Sequence, residues 1–129
     1  MIDLTLHQRP IPLKRTRISG SHVYDSQKRE KLLAYLELKK QWGHQAMFMD
    51  SIHVDLLFVF PVCDSWSALK QRKYRNNPHI GKIDIDNLVK YILDVLIGIA
   101  FADDCIVASL SARKVYGDET RTEISIKRI

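Results

Sequence analysis

Residues 81–105 of the chain read GKIDIDNLVKYILDVLIGIAFADDC. Asp84 and Asp86 flank a single isoleucine, a strongly apolar segment follows, and Asp103 and Asp104 close it. In an extended segment, residues two apart point the same way. Asp84 and Asp86 would then be side by side, with like charges repelling at close range. Such a pair either shares a proton or binds a cation. Oxygen-only ligands at close spacing suit Mg²⁺, with Mn²⁺ as a substitute, bound through a few carboxylates, waters and a substrate phosphate. Asp104, or its neighbour Asp103, supplies the third ligand if the strand after Asp104 lies next to the segment ending at Asp86. A cation held there polarises a phosphodiester, lowers the pKa of a bound water and stabilises the leaving oxygen. Lys90, one turn into the apolar segment, is spaced to neutralise phosphate charge or orient the attacking water. A plainer account also stands. Asp86 is a good N-cap at the positive end of a helix, Lys90 pairs with Asp86 or Asp94, and Asp103 and Asp104 occupy a solvated turn. That account leaves Asp84 unexplained.

The elements that must position these groups follow from periodicity. Leu88, Val89, Ile92, Leu93, Val95, Leu96 and Ile99 cover most of a helix over 87–99, which leaves Asn87, Lys90 and Asp94 on one narrow polar stripe. Residues 2–7 alternate as a strand. A second helix is expected over 26–42, capped by Asp25 or Ser26, with Leu32, Leu33, Leu36 and Trp42 at helical spacing against a sheet. Residues 51–60 form the best strand. Ile52, Val54, Leu56, Phe58 and Phe60 share one face, and the other face turns apolar towards Val59, as in a central strand covered on both sides for part of its length. A helical turn capped by Asp64 or Ser65 leads into a basic loop. After Asp104 a strand places Ile106, Ala108, Leu110 and Ala112 on one face. The turn "GDE" then returns it as a last strand with Thr122, Ile124 and Ile126 inward, a C-terminal hairpin.

The 129 residues suit one domain, 1–129, with one core and no linker or repeat. The net charge of +5 favours a polyanionic partner. Two acid-free basic clusters are candidate phosphate contacts: Lys14, Arg15 and Arg17, then Lys70, Arg72, Lys73, Arg75 and Lys82. Trp66 is read as core, with Tyr74 bordering it. The five histidines show no metal-ligand spacing, and no serine or cysteine has an evident base partner. Cys63 and Cys105 are expected to be reduced and to fill space in a cytoplasmic protein. No apolar run reaches the ~18 residues of a membrane span. Carboxylate-bound Mg²⁺ in a basic chain is the arrangement of a metal-dependent nuclease. A phosphatase-like Asp-x-Asp would follow an apolar strand, whereas here "NNPHIGK" precedes it.

These residues also carry a resemblance. "KIDIDNLVKYILDVL" and "GIAFADDCIVASLSARKVYGDETRTEI", together with the early "RPIPLKRTR", "HVYDSQKREK" and "FPVCDSWSALKQRK", resemble the RusA family of Holliday-junction resolvases over nearly the whole chain. One departure is Ile83, where many relatives carry proline or a basic residue. The resemblance implies an α+β fold in which a small mixed β-sheet packs against two main helices, with the C-terminal hairpin and a tight homodimer. It implies a Mg²⁺-dependent endodeoxyribonuclease that nicks four-way DNA junctions in symmetric pairs, common in bacteria and their prophages. Asp84, Asp86 and Asp104 match the family's essential aspartates, with Asp103 beside the third, and Lys90 matches its motif lysine. Junction preference rests on the resemblance alone. The alternative is a branched-DNA-binding protein of the same fold without catalysis.

Overall fold

The most apolar strand takes the centre of the sheet. In the computed structural model, which describes residues 1–129 apart from the side chain of Arg17, β4 (Ile52–Pro61) lies between β5 (Val107–Gly117) and β6 (Arg121–Arg128). With β1 (Ile2–Leu6) outside β6, the strand order is β1-β6-β4-β5. β4 runs parallel to β5 and antiparallel to β6. Strands β2 (Arg17–Ser19) and β3 (His22–Tyr24) form a separate two-stranded ribbon. Helices α1 (Lys28–Trp42) and α3 (Ile85–Leu96) cover one face of the four-stranded sheet, and the short α2 (Ala68–Tyr74) lies between β4 and α3 in sequence. The expected α+β architecture is therefore present. No helix among the described residues is long and apolar enough to cross a membrane.

The alternation of β4 is realised residue by residue. Ile52, Val54, Leu56, Phe58 and Phe60 are buried. On the opposite face Asp55 is exposed and Val59 buried, so the strand is covered on both sides only near its end. Thr122, Ile124 and Ile126 of β6 face inward as expected. From α3 the core receives Leu88, Ile92 and Leu96, each worth roughly 1.5–3 kcal/mol when fully buried.

Four local expectations are corrected. The last two strands are not a hairpin: β6 pairs with β4 and β1, and β4 separates it from β5. The connection crosses the end of β4, a span of two strand spacings, about 10 Å, which four Cα steps cover. Thr120 Oγ1 donates to Val59 O at 3.0 Å where the chain crosses. Local alternation is the same for a hairpin and for this split pair, and burial of the more apolar β6 in the sheet interior decides between them.

The second correction concerns α1. Its buried stripe is Ala34, Leu38 and Trp42, whereas Leu32, Leu33 and Leu36 are each more than half exposed. The N-cap is Gln27 rather than Asp25 or Ser26. Its buried side chain accepts from Lys14 N (3.0 Å) and donates to Pro12 O (2.8 Å), pinning the proline loop. α1 also covers the outer edge of β1. Gln41 accepts from Thr5 N and donates to Thr5 O, and Glu37 accepts from His7 N.

The third correction lies around α2. It is capped by Ser67, which accepts from Lys70 N, rather than by Asp64 or Ser65. Trp66 belongs to a half-buried aromatic cluster with Tyr74 and Tyr116, outside the main core. The fourth concerns the cysteines: Cys63 and Cys105 are both free and exposed, so neither fills space.

Gly117, at the crossing, has no room for a side chain, since a Cβ would meet Val59 Cγ1 at 2.6 Å. Gly117→Val is expected to destabilise the fold by about 1–3 kcal/mol through overpacking. Urea melts of the variant check this, and an unchanged midpoint would contradict the crossing geometry.

Candidate metal site and nucleic-acid face

The approach to the acidic pair is built on the end of β5. After α2 the chain turns at Asn76, whose φ of 64° is left-handed. It then runs along β5, where Asn76 N donates to Tyr116 O, Tyr116 N to Asn77 O and His79 N to Lys114 O. The His79 ring stacks on Phe60 at 4.1 Å and lies against Tyr116 at 4.8 Å. Burial, with Lys114 and Arg9 nearby, holds its pKa below the usual imidazole range. The next residues are gripped by Lys114, whose Nζ donates to Ile83 O at 2.6 Å and reaches Gly81 O at 3.5 Å. On the other side Leu13 N donates to Asn87 O at 2.8 Å. The start of α3 is thus held from two directions.

Asp84 is the N-cap of α3, with extended φ and ψ, and its side chain makes no capping hydrogen bond. Asp86 lies in the first turn rather than at the cap. Both are exposed and stand at the positive end of the helix. Lys90 Nζ lies 3.9 Å from Asp86 Oδ2, with both side chains more than 60% exposed, a pair worth at most about 0.3–0.5 kcal/mol. Asp94 turns instead to Lys31, at 3.2 Å. The helix begins between the two aspartates, so the fully extended side-by-side arrangement expected of them is not realised. Uncapped and loosely paired carboxylates are nevertheless the kind of oxygen ligand that a hard divalent cation takes.

The second acidic pair lies elsewhere. α3 has 12 residues, so its ends are about 18 Å apart. It runs back along β5: Ile83 meets Lys114 near the end of that strand, while Ala100 O accepts from Phe48 N ahead of β4. Asp103 and Asp104 precede the start of β5, which pairs Val107 with Ile52. Val107 and Lys114 are seven residues apart on the strand, about 23 Å. Asp103 Oδ1 accepts from Cys105 N at 2.9 Å, and that bond holds its carboxyl below the usual range. Asp104 is exposed and opens a single 3-10 turn. The expectation that the chain folds back to place Asp103 or Asp104 beside Asp86 is therefore not met within one chain. Among the described residues no three His, Cys, Asp or Glu side chains are grouped closely enough to hold a metal ion. The cause is topological. A parallel β4–β5 pair requires a crossover that returns the chain to the opposite end of the sheet, and α3 is that return.

The basic candidates divide. Lys14, Arg15, Lys70, Arg72, Lys73 and Lys82 are exposed. The side chain of Arg17 lies outside the described residues. Arg75 Nε donates to Asp118 Oδ1 at 2.9 Å, a partly exposed ion pair. Lys70 Nζ sits 4.5 Å from the Trp66 ring centroid, a cation–π contact on an exposed helix. Lys82 and Lys14 flank the two segments that hold the start of α3. Lys114, which grips this approach, has no place in the sequence motif. The available signal was its place on the same alternating face as Ala112, since a lysine in an apolar register usually has a partner.

The family model for the endodeoxyribonuclease RusA matches residues 8–127. The chain is also similar to an uncharacterized Bacillus subtilis (strain 168) protein, YqaN. The two are 26% identical over 137 aligned positions, covering 99% of this chain and 96% of that protein. With the family match spanning nearly every element described above, the chain belongs to the RusA family of endodeoxyribonucleases.

Proposed function

We propose that the chain is a Mg²⁺-dependent endodeoxyribonuclease, with Mn²⁺ able to substitute, that resolves four-way DNA junctions by paired symmetric nicks during recombination and repair in the cytoplasm. The observation that carries the reading is the exposed, uncapped Asp84 with Asp86 at the start of α3, held in place by Lys114. Asp84, Asp86, Asp104 and Asp103 would hold the cation. When bound, it would polarise the scissile phosphate and acidify a water. Lys90, exposed one turn along, would neutralise the phosphate charge. Lys14, Arg15, Lys70, Arg72, Lys73 and Lys82 would track the backbone, giving a salt-dependent affinity.

The separation of the two acidic pairs along α3 favours a homodimer, with Asp103 and Asp104 of each protomer reaching the Asp84–Asp86 pair of the other. Two opposed strands must be cut to resolve a junction, so two sites on one assembly suit the reaction. The same separation also supports the second reading, a branched-DNA-binding protein without catalysis.

The deciding experiment offers the protein a labelled four-way junction and a matched linear duplex, in Mg²⁺ or EDTA. Paired nicks on the junction alone, absent in EDTA, are expected. Binding without cleavage in either Mg²⁺ or Mn²⁺ would support the second reading instead.

A further inference from the structure

The two aspartates at the start of α3 are held by different parts of the molecule. Asp86 is inside the helix, and Leu13 N fixes the helix there by donating to Asn87 O at 2.8 Å. Asp84 precedes the first turn, and its side chain caps nothing. The helical bond that reaches it, from Leu88 N to Asp84 O, is long at 3.3 Å. What fixes Asp84 therefore comes from the segment before it. Ile83 packs against the core, which sets where the chain passes. Side-chain packing alone leaves the next peptide plane free to rock. That plane contains both Ile83 O and Asp84 N, so a bond to Ile83 O sets the direction in which Asp84 leaves it.

Lys114 makes that bond, and three contacts converge on this one residue. Its Nζ donates to Ile83 O at 2.6 Å and reaches Gly81 O at 3.5 Å, and its own carbonyl accepts from His79 N at 3.0 Å. Lys114 pairs with Phe58 of β4, so it stands on the face of the sheet that carries the core and α3. It is half-buried, and no Asp or Glu among the described residues pairs with its ammonium. A half-buried ammonium without a carboxylate is unfavourable unless its hydrogen bonds are strong. Charge-assisted bonds to carbonyls are shorter and stronger than neutral ones. The segment is shaped around this grip. A Cβ on Gly81 would meet His79 Cε1 at 2.6 Å, so the glycine leaves room for the ring that stacks on Phe60. Because carbonyls engage its ammonium, Lys114 does not compete with a cation for the carboxylates, whereas Lys90, 3.9 Å from Asp86, does.

We propose that Lys114 is a positioning residue: from β5 it fixes Asp84 relative to Asp86 and so sets the affinity of the pair for a divalent cation. It acts through the backbone of residues 81–83. The effect on cation affinity rests on the nuclease reading above; the placement of Asp84 does not.

The test compares wild type, Lys114→Met, Lys114→Arg and Leu4→Ala, the last a core truncation in β1 at the far edge of the sheet. Two quantities are read on the full chain: Mn²⁺ affinity, from the paramagnetic resonance of free Mn²⁺, and amide exchange in EDTA by NMR. Lys114→Met is expected to bind Mn²⁺ about 10–100-fold more weakly, the usual loss when a group that orients a metal ligand is removed. The amides of Ile83 and Leu88, bonded to Gly81 O and Asp84 O, are expected to exchange at least about tenfold faster in that variant. Lys114→Arg keeps the charge and the N–H donors and is expected to recover most of both. Leu4→Ala is expected to lose stability with its Mn²⁺ affinity unchanged. On a labelled junction the Lys114→Met defect is expected as a raised Mg²⁺ requirement, with the rate at saturating Mg²⁺ and junction binding in EDTA close to wild type. If Lys114→Met does not fold, Lys114→Gln, a shorter neutral donor, decides by the same two readings. A folded variant with wild-type Mn²⁺ affinity, or an equal loss in Leu4→Ala, would overturn the proposal and leave the nuclease reading in place. Faster exchange in Lys114→Met with no Mn²⁺ bound by wild type would overturn the nuclease reading and leave the placement of Asp84 standing.

Discussion

Asp86→Asn is expected to reduce junction cleavage by roughly 10²–10³-fold or more while leaving junction binding intact. The change is isosteric and removes one oxygen ligand. Its effect on the fold is small by the magnitudes involved. A first-turn carboxylate contributes about 0.3–1 kcal/mol through the helix dipole, and the Lys90 contact at 3.9 Å is exposed. Binding gives an independent sign. Without a cation, Asp86 repels the phosphate backbone, so in EDTA the variant is expected to bind a junction at least as tightly as wild type, whereas a misfolded variant would bind less. Asp84→Asn is expected to behave alike, with still less effect on stability because its side chain caps nothing. Gel-shift and cleavage assays on one preparation separate the two quantities. If Asp86→Asn lowered thermal stability and cut as well as wild type, the residue would be a helix-end charge and nothing more.

How much of this was legible in the sequence depends on the range of the interaction. Local and periodic features were legible. The inward faces of β4 and β6 and the buried girth of α3 follow from burial at fixed spacing. Features set by competition between equivalent local options were not. Leu32, Leu33 and Leu36 are more apolar than Ala34, but the close approach of α1 to the sheet selects the stripe of Ala34, Leu38 and Trp42. Gln27 serves as cap position because its side chain is spent on the Pro12–Lys14 loop. The candidate site shows the same division. That Asp84 and Asp86 stand at the start of a helix was legible, but not that the helix begins between them, which takes Asp86 out of the extended register expected of the pair. The distance to Asp103 and Asp104 was not, because it depends on β5 pairing parallel to β4 and on β6 inserting on the far side.

That distance leads to the second large effect. Take one protomer with Asp84→Asn and Asp86→Asn, and another with Asp103→Asn and Asp104→Asn. Asparagine caps as well as aspartate, so the 3-10 turn at Asp104 is retained. Each variant alone is expected to be inactive. Co-expressed with two different tags and purified as a mixed dimer, they separate two geometries. If each site draws both acidic pairs from its own chain, both sites of the mixed dimer are damaged and it stays inactive. If each site combines the start of one α3 with the Asp103–Asp104 turn of the other copy, one site carries all four substitutions and the other carries none. The mixed dimer is then expected to nick at about half the wild-type rate, in keeping with two equivalent sites. It would cut only one strand, so nicked junctions would accumulate without resolving. The length of α3, about 18 Å, and the absence of a three-ligand cluster among the described residues of one chain favour this second outcome. Continued inactivity of a folded, junction-binding mixed dimer would mean that the acidic pairs meet within one chain after a rearrangement of α3, or that they do not meet at all.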